Sequence, residues 1–329
     1  MNTTNEATRP AGTILFNTGF EGTTHLSAAT GPYFHGHPEQ YEDFRGNDPT
    51  VPAPNDWAWI AADPVLGTLR IYHEGGDESQ RFARVVPDEA DPTNRVLRFW
   101  IGEPNVAARE PAVLHPKSRV QAELYGNTGL RELYQSVRMR FHPDFALLKQ
   151  YPHSFSWLTL AEFWNKPFWS EVSADAPMPF PFRISLGVKK LAAGPVNALY
   201  FGVESQIMAS PPPDFQVAGI WHETNTDFAV PVGSWMTLDT YYREGDRDTG
   251  RFFCAVTPDS GPRRVLFDIH DWTYHPQNPA PDGLTHYNPI KLYTSAGIVE
   301  FLRHQGAALQ VDWDDFALWS GRTPKEEGA

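Results

Sequence analysis

Strict alternation of polar and apolar residues in several short segments is the feature that most constrains the fold of this chain. In the segment 119–125, RVQAELY, polar residues at odd positions alternate with apolar residues at even positions, and segments 183–189 and 201–206 show the same period. Successive side chains of a strand point to opposite faces of its sheet. Each segment therefore predicts a strand with one packed face and one polar face rich in Arg, Gln and Glu.

Short strand-like segments recur along most of the chain, and helical periodicity is nearly absent. An opening strand is predicted in 12–22, and further strands in 69–73, 95–101, 118–125, 134–141, 154–164, 182–189, 198–206, 235–243, 251–256, 263–269, 290–293 and 308–319. The 30 prolines and 25 glycines are spread between them, as turns require. Residues 31–56 lack periodicity and are predicted to form a long loop. The pattern favours an all-β, two-sheet antiparallel sandwich with long loops.

Composition narrows the possible partners and compartments. The formal net charge of −13 disfavours binding to nucleic acid, and the single cysteine, Cys254, excludes a disulfide within one chain. No segment approaches the roughly 18 apolar residues of a membrane-spanning helix. We predict a flexible leader at 1–10, one domain at 11–322 and a flexible tail at 323–329. Secretion or a periplasmic location is expected, with any signal peptide absent from this sequence.

Glu162 is the first candidate for a catalytic carboxyl group. It lies among Trp157, Trp164 and Trp169, and poor solvation there should raise its pKa, as a general acid requires. Glycoside hydrolysis commonly needs a second carboxylate, for which Glu123 and Glu223 are the candidates. The alternative for Glu162 is a structural ion pair with an arginine such as Arg183.

Aromatic and imidazole side chains provide candidate sugar contacts. Indole rings can stack on the apolar faces of sugars, and the tryptophans expected near a cleft are Trp57, Trp59, Trp164, Trp169 and Trp221. His153 and His222 could act as bases or hold substrate. No histidine pair has the spacing of a zinc site, and no phosphate loop, nucleophile elbow or dinucleotide fingerprint occurs. No catalytic cofactor is therefore expected.

The two ends of the chain resemble the paired first and last strands of concanavalin-like jelly rolls that bind carbohydrate. The segments are 16–22, FNTGFEG, and 311–319, VDWDDFALW. This resemblance implies a structural calcium ion between the termini, with Glu21 and Asp315 as candidate ligands, because Ca²⁺ prefers hard oxygen donors. The alternative is that both are acidic turn residues without a metal.

Between its ends, the chain resembles jelly-roll polysaccharide lyases of the alginate-lyase and heparin-lyase type. The order of segments 118–124, 157–164, 181–189, 232–238 and 290–293 carries this resemblance. Two departures stand out: Glu162-Phe163-Trp164 replaces the Gln-x-His motif, and Lys291 and Tyr293 are two residues apart instead of four. In a lyase, the residues that would bind and convert a uronate are Arg119, Gln121, His153 or His222, and Tyr293. Further candidate substrate contacts are Trp164, Arg183 and Lys291.

Three functions are compatible with these features. The first is a glycoside hydrolase that uses Glu162 with Glu123 or Glu223. The second is a lyase that cleaves a uronate-containing polysaccharide by β-elimination, with Arg119, a histidine and Tyr293. The third is a sugar-binding module without activity. In each case the partner is a polysaccharide or oligosaccharide, and the long loop at 31–56 favours an enzyme.

Overall fold

The computed structural model describes residues 12–31, 38–51, 56–57, 66–105, 116–125, 127, 129–165, 180–192, 198–210 and 216–324. In chain order, the strands in these residues are β1 (Thr13–Thr18), β2 (His25–Ala28), β3 (Tyr41–Arg45), β4 (Thr68–His73), β5 (Arg81–Pro87), β6 (Arg95–Ile101), β7 (Lys117–Tyr125), β8 (Glu132–Phe141), β9 (Leu158–Asn165), β10 (Phe182–Lys189), β11 (Tyr200–Ser210), β12 (Gln216–Ala229), β13 (Met236–Arg243), β14 (Arg251–Pro258), β15 (Arg264–Ile269), β16 (His286–Ser295) and β17 (Leu309–Ser320). Short 3-10 helices span Pro38–Gln40 and Pro143–Gln150, and the α-helix α1 spans Ala296–His304.

The strands form two antiparallel sheets that pack face to face. The nine-stranded sheet has the order β12-β11-β10-β9-β16-β7-β4-β3-β2, and the eight-stranded sheet has the order β15-β14-β13-β8-β17-β6-β5, with β1 also paired to β17. One extended hydrophobic core includes residues from both sheets. The predicted all-β, two-sheet antiparallel sandwich is thus confirmed.

The alternation in the sequence explains which face of each strand is buried. Val120, Ala122 and Leu124 of β7 are at most 1% exposed and contribute to the core. Ile184, Leu186 and Val188 of β10 do the same. The alternate residues of both strands therefore lie on the other side of the nine-stranded sheet, which we call the polar face.

The sequence analysis missed four strands and the one α-helix of the described residues. β2, β3, β5 and β12 were not predicted, and β3 lies within the predicted loop 31–56. In β3, Asp43 is buried because its carboxylate pairs with Arg70 and Arg45 at 3.2 and 2.8 Å. A charged residue inside a strand removes the apolar signal by which strands are recognised, so the sequence of β3 does not predict a strand.

Several predictions fall outside the described residues or stay untested. The leader at 1–10 and residues 325–329 of the predicted tail lie outside them, as do Trp59 and Trp169. The domain boundaries at 11 and 322 remain a prediction. Within the part of the chain that is described, no helix is both long and apolar enough to cross a bilayer.

Candidate active site

Cross-strand register brings the polar residues of five neighbouring strands into one row on the polar face. Glu162 of β9 lies directly opposite Asn288 of β16 on one side and Ser185 of β10 on the other. Ser185 in turn pairs with Glu204 of β11, and Glu204 with His222 of β12. Residues directly opposite each other in a sheet share a face. In this row Glu162 is therefore next to Asn288, and His222 is at the opposite end, on the edge strand of the sheet.

A bulge in β16 decides which residues of that strand reach the polar face. Between Tyr287 and Ile290 the pairing with β7 shifts register, and both of these residues lie in the core. Pro289, between them, has no backbone N–H and so suits an interrupted ladder. Strict alternation would place Asn288 and Lys291 on opposite faces. The bulge places both on the polar face.

Four side chains of β7 and β16 form a compact block on this face. Lys291 is directly opposite Gln121, and Tyr293 is directly opposite Arg119. The Arg119 guanidinium lies 4.7 Å from the centre of the Tyr293 ring, and the Lys291 ammonium lies 4.8 Å from it. The phenol of Tyr293 is thus bordered by two cations.

Glu162 is held by two cations and an indole. Its carboxylate accepts hydrogen bonds from Lys291 Nζ at 2.5 Å, Arg183 Nη1 at 3.3 Å and Trp164 Nε1 at 3.0 Å. Burial by itself would raise the pKa of Glu162, but Lys291 and Arg183 lower it to about 2. The expected rise in pKa is therefore wrong, because the indoles are accompanied by two positive charges. The alternative expectation, an ion pair with Arg183, is what the structure contains.

Burial shifts the pKa values of Lys291 and Tyr293 in opposite directions. Burial lowers the pKa of Lys291 to about 8, although the ion pair with Glu162 opposes the change. Burial also raises the pKa of Tyr293 above its ordinary value, and the nearby Arg119 only partly offsets this. Near neutral pH, a fraction of Lys291 is an uncharged amine and Tyr293 keeps its proton. The pair therefore includes a possible base and a possible acid.

Arg119 is fixed by an ion pair at the end of the block. Its guanidinium bonds to Glu74 at 2.8 Å through Nε and 2.7 Å through Nη2, and Lys117 pairs with the same carboxylate at 2.9 Å. Although burial would raise the pKa of Glu74, Arg119 and Lys117 lower it to about 2. The planar guanidinium is thereby held against the Tyr293 ring.

Glu123 is buried on the same face, two strands from Glu162. Gln121 Nε2 donates a hydrogen bond to its carboxylate, and Arg70 of β4 is directly opposite. Burial raises the pKa of Glu123, although Gln121 and the surrounding cations oppose this. Because β16 separates β7 from β9, the strands that carry Glu123 and Glu162 are about 10 Å apart.

Glu223 and the two predicted histidines are not brought to the centre of this site. Glu223 is opposite the core residue Val203, so it lies on the other side of the sheet from Glu162, exposed and inside β12. His222 is on the polar face but three strands from β9, about 14 Å away. His153 is exposed and packs edge-on against Tyr151. Spacing along the chain cannot reveal such positions, because strand order decides them.

Two tryptophans expected near a cleft are core residues. Trp57 stacks on Phe44 with ring centres 4.4 Å apart, and Trp221 also belongs to the core. Trp164, in contrast, lies on the polar face, where the Arg183 guanidinium is 5.0 Å from its ring centre. The difference follows from strand parity, since Trp164 is two residues from Glu162.

The structure adds polar-face residues that the sequence analysis did not select. His286 is directly opposite Trp164, Asn288 is within 3.5 Å of Lys291, and Glu74 anchors Arg119. His286 and Asn288 precede the bulge. Counting alternate residues back from Lys291 without the bulge would therefore assign both to the core face. Glu74 follows β4, and only the pairing of β4 with β7 brings it to Arg119.

The two predicted calcium ligands have other contacts. Glu21 Oε1 accepts a hydrogen bond from the backbone N–H of Arg95 at 3.0 Å, and Asp315 is exposed within β17, where the pairing with β8 shifts register, with φ of 44°. Across the residues described, no group of three or more His, Cys, Asp or Glu side chains is arranged to hold a metal ion. A calcium site between the termini stays a prediction.

Comparisons with known proteins find similar shapes and no close relative. No protein-family model matches the chain, and no curated protein matches it. Among solved structures, the chain is similar to an endo-β-1,4-glucuronan lyase from the fungus Trichoderma reesei, with 14% identity, a TM-score of 0.43, and coverage of 76% of this chain and 90% of that one. It is also similar to a PL-14 alginate lyase from Aplysia kurodai, with 10% identity, a TM-score of 0.43, and coverage of 76% and 90%. The exoplasmic/lumenal domain of VIP36 is a further neighbour, with 10% identity, a TM-score of 0.36, and coverage of 77% and 86%. Two of these three neighbours are polysaccharide lyases, the class that the order of segments in the sequence resembles.

Proposed function

We propose that this protein is a polysaccharide lyase that cleaves a uronate-containing glycan by β-elimination. The observation that carries the proposal is the block formed by Arg119, Gln121, Lys291 and Tyr293 on the polar face. β-Elimination removes the proton beside the uronate carboxylate, forms a carbon–carbon double bond and expels the glycosidic oxygen, which takes up a proton. The reaction needs a group that neutralises the carboxylate, a base and an acid.

The β7 side chains supply the first requirement. Arg119 presents to a carboxylate the part of its guanidinium that does not bond to Glu74, and the amide of Gln121 lies beside it. Neutralising the carboxylate stabilises the negative charge that develops when the adjacent proton leaves. The further cations Arg183 and Lys291 on neighbouring strands favour an anionic substrate over a neutral one.

The β16 side chains supply the base and the acid. Lys291, with its pKa lowered to about 8, takes the proton, and Tyr293, which keeps its own proton, gives it to the leaving oxygen. This assignment replaces the histidine that the sequence suggested as base, since His153 and His222 lie away from the block. Glu162 acts on Lys291, as the partner that holds its ammonium.

A glycoside hydrolase with Glu162 as general acid is less well supported. A general acid must carry a proton near the working pH, whereas the two cations keep Glu162 ionised down to a pH of about 2. Its proposed partner Glu223 is on the other face of the sheet. Glu123 alone is correctly placed, so the carboxylate pair that hydrolysis commonly uses is incomplete.

The test is incubation with a panel of neutral and uronate-containing polysaccharides, recording both reducing ends and the ultraviolet absorbance of unsaturated products. A lyase produces both signals together, and Lys291→Ala and Tyr293→Phe should each lower the rate by about 10²–10⁴-fold. Lys149→Ala and Tyr134→Phe, which change the same residue types away from the polar face, are the controls. Reducing ends without the absorbance would overturn the lyase in favour of a hydrolase, and binding without either signal would favour a sugar-binding module.

Lys291→Arg separates two roles of Lys291. Arginine keeps the positive charge but does not lose its proton in this pH range, so it cannot serve as the base. Activity in this variant close to that of the wild type would overturn the assignment of Lys291 as the base.

A polymeric substrate cannot enter a cell intact, so we also propose that the protein acts outside the cytoplasm.

A further inference from the structure

A second cleft lies on the outer face of the eight-stranded sheet, on the opposite side of the sandwich from the proposed active site. Its volume is about 510 Å³, and its polar and aromatic lining consists of Ser79, Trp100, Glu103, His142, Asp144, Arg303 and Gln310. Trp100 and Gln310 alternate with core residues of β6 and β17, so they point away from the core. We call this the outer cleft.

The floor of the outer cleft is an aromatic and amide row set by strand register. Phe82 of β5 is opposite Trp100, and Trp100 is opposite Gln310. The rings of Phe82 and Trp100 stack with centres 5.1 Å apart and planes 13° apart. Phe82 and Gln310 therefore flank Trp100 on opposite sides, and the indole lines the cleft between them.

Gly102 keeps room for the indole at this position. A Cβ atom at residue 102 would come within 2.2 Å of the Trp100 ring, so any larger residue would displace it. The indole orientation is therefore fixed on two sides, by Phe82 and by the Gly102 backbone. A rigid aromatic face offers contact area at a low cost in conformational entropy.

The Arg303 guanidinium and the Glu103 carboxylate that border the outer cleft are paired with each other, whereas His142 Nδ1 accepts a hydrogen bond from the backbone N–H of Asp144. Arg303 Nη1 lies 3.3 Å from Glu103 Oε1, and His142 Nδ1 lies 3.4 Å from Asp144 Oδ2. The amide nitrogen of Gln310 is buried and has no acceptor among the residues that the structure describes. A donor without an acceptor costs free energy when buried, and because Gln310 lines the cleft, rotation of its amide would offer this donor to a ligand oxygen. The cleft thus combines an indole, one donor that lacks an acceptor and an arginine whose charge is paired with Glu103.

We propose that the outer cleft binds a pyranose ring of a glycan chain through its hydroxyl groups and its apolar face, without cleaving it. The choice of a glycan rests on the proposed function. A sugar ring presents C–H groups to an indole and hydroxyl oxygens to an amide, which matches this lining, whereas the paired charges give no preference for a carboxylate. A polymer held at both faces of the sandwich would have a higher effective concentration at the active site.

The test compares binding and turnover in matched variants. Binding is measured in a Lys291→Ala background as retardation of the protein in native gels that contain the soluble polymer the wild type cleaves, or the whole panel in turn if none is cleaved. Trp100→Ala and Gln310→Leu should each weaken binding by roughly two- to tenfold, the range expected for a stacked ring or one hydrogen bond. Trp319→Ala, on the same outer face and bordered by Tyr134 and Arg322, is the control and should leave retardation unchanged.

Turnover distinguishes failure of this inference from failure of the proposed lyase. With Lys291 intact, Trp100→Ala should leave the rate on a short oligosaccharide unchanged and lower the rate on the long polymer. If Trp100→Ala changes neither retardation in the Lys291→Ala background nor the rate on the polymer with Lys291 intact, the outer cleft is overturned while the lyase stands. Loss of retardation in Trp100→Ala without unsaturated product from any protein would support the cleft and overturn the lyase. No retardation of any protein would overturn the cleft.

Discussion

At the scale of single residues, the proposed active site depends on one buried carboxylate that several donors share. The Glu162 carboxylate accepts hydrogen bonds from Lys291, Arg183 and Trp164, so it keeps its negative charge in spite of burial. The same contacts set the proton affinity of Lys291, since an ammonium beside a carboxylate is stabilised while burial destabilises it. The working pH of the site is therefore adjustable through Glu162.

Glu162→Gln should move the pH dependence of cleavage. Loss of the carboxylate removes the group that favours the ammonium form, so the pKa of Lys291 should fall below about 8. The base is then available at lower pH, and the acidic limb of the rate profile should shift to lower pH by roughly one unit. Rate profiles of the two proteins on the same polysaccharide measure the shift. Glu204→Gln, in the same row two strands away, is the control. An acidic limb that stays in place or moves to higher pH in Glu162→Gln would contradict the role of Glu162.

Glu74 should make the fold sensitive to acid. Its folded-state pKa of about 2 is below the ordinary 4.5, so its ion pairs stabilise the protein fully above pH 4.5, and this stabilisation is lost as pH falls toward 2. Glu74→Gln should lower the free energy of unfolding at neutral pH by roughly 1–3 kcal/mol and make its decline in acid shallower. Urea unfolding at several pH values measures both effects. Glu78→Gln, an exposed partner of Arg84, should change little.

At the scale of elements, the bulge in β16 is held from inside the sandwich. Gln135 of β8 is buried; its Nε2 donates to the carbonyl oxygen of Pro289 at 3.0 Å, and its Oε1 accepts from the hydroxyl of Tyr287. These bonds cross from the eight-stranded sheet to the bulge. The position of Lys291 on the polar face is thus connected to a residue of the opposite sheet.

Gln135→Met should weaken both the fold and the activity. Methionine has a similar size but leaves the Pro289 carbonyl and the Tyr287 hydroxyl without partners, at a cost of about 1–3 kcal/mol for each group. Thermal unfolding should show a lower midpoint, and cleavage should slow even at temperatures where the variant is folded, because Lys291 is displaced. Gln305→Met, at the exposed end of α1, is the matched control. Full activity in a destabilised Gln135→Met would show that the bulge does not depend on Gln135.

At the scale of the whole molecule, the sandwich shields its single cysteine. Cys254 of β14 is fully buried in the core, and burial raises the pKa of its thiol well above the ordinary value. The thiolate is the form that attacks a thiol reagent, so reaction of this buried thiol requires the sheets to separate. The rate of labelling should therefore report on opening of the core.

Labelling of Cys254 should be slow in the native protein and fast in denaturant. The expected difference is several orders of magnitude, as for groups exposed only by large-scale unfolding. It is measured as absorbance of the released reagent with time, in buffer and in urea, and Gln135→Met should increase the native rate. Rapid labelling in buffer would show that β14 opens without unfolding of the sandwich.

The sequence by itself determined the faces of the strands and the class of fold. The alternation in β7 and β10 is set by a two-residue period that needs no tertiary information, so Arg119, Gln121, Glu123 and Arg183 were placed correctly on the polar face. Turns marked by proline and glycine separated most of the strands for the same local reason. Strands that carry buried ion pairs, such as β3, lack this local signal and were missed.

Only the tertiary structure decided which of these residues meet. β16 lies between β7 and β9 although it comes far later in the chain, and this strand order brings Lys291 to Gln121 and to Glu162. The bulge at Pro289 changes which residues of β16 face the polar side. The pairing of β12 with β11 places Glu223 on the opposite face from the site. Register and strand order arise from contacts between distant segments, so no local pattern encodes them. The charge of Glu162 followed from those contacts: indoles beside it in the sequence predicted a raised pKa, while cations from β10 and β16 lower it.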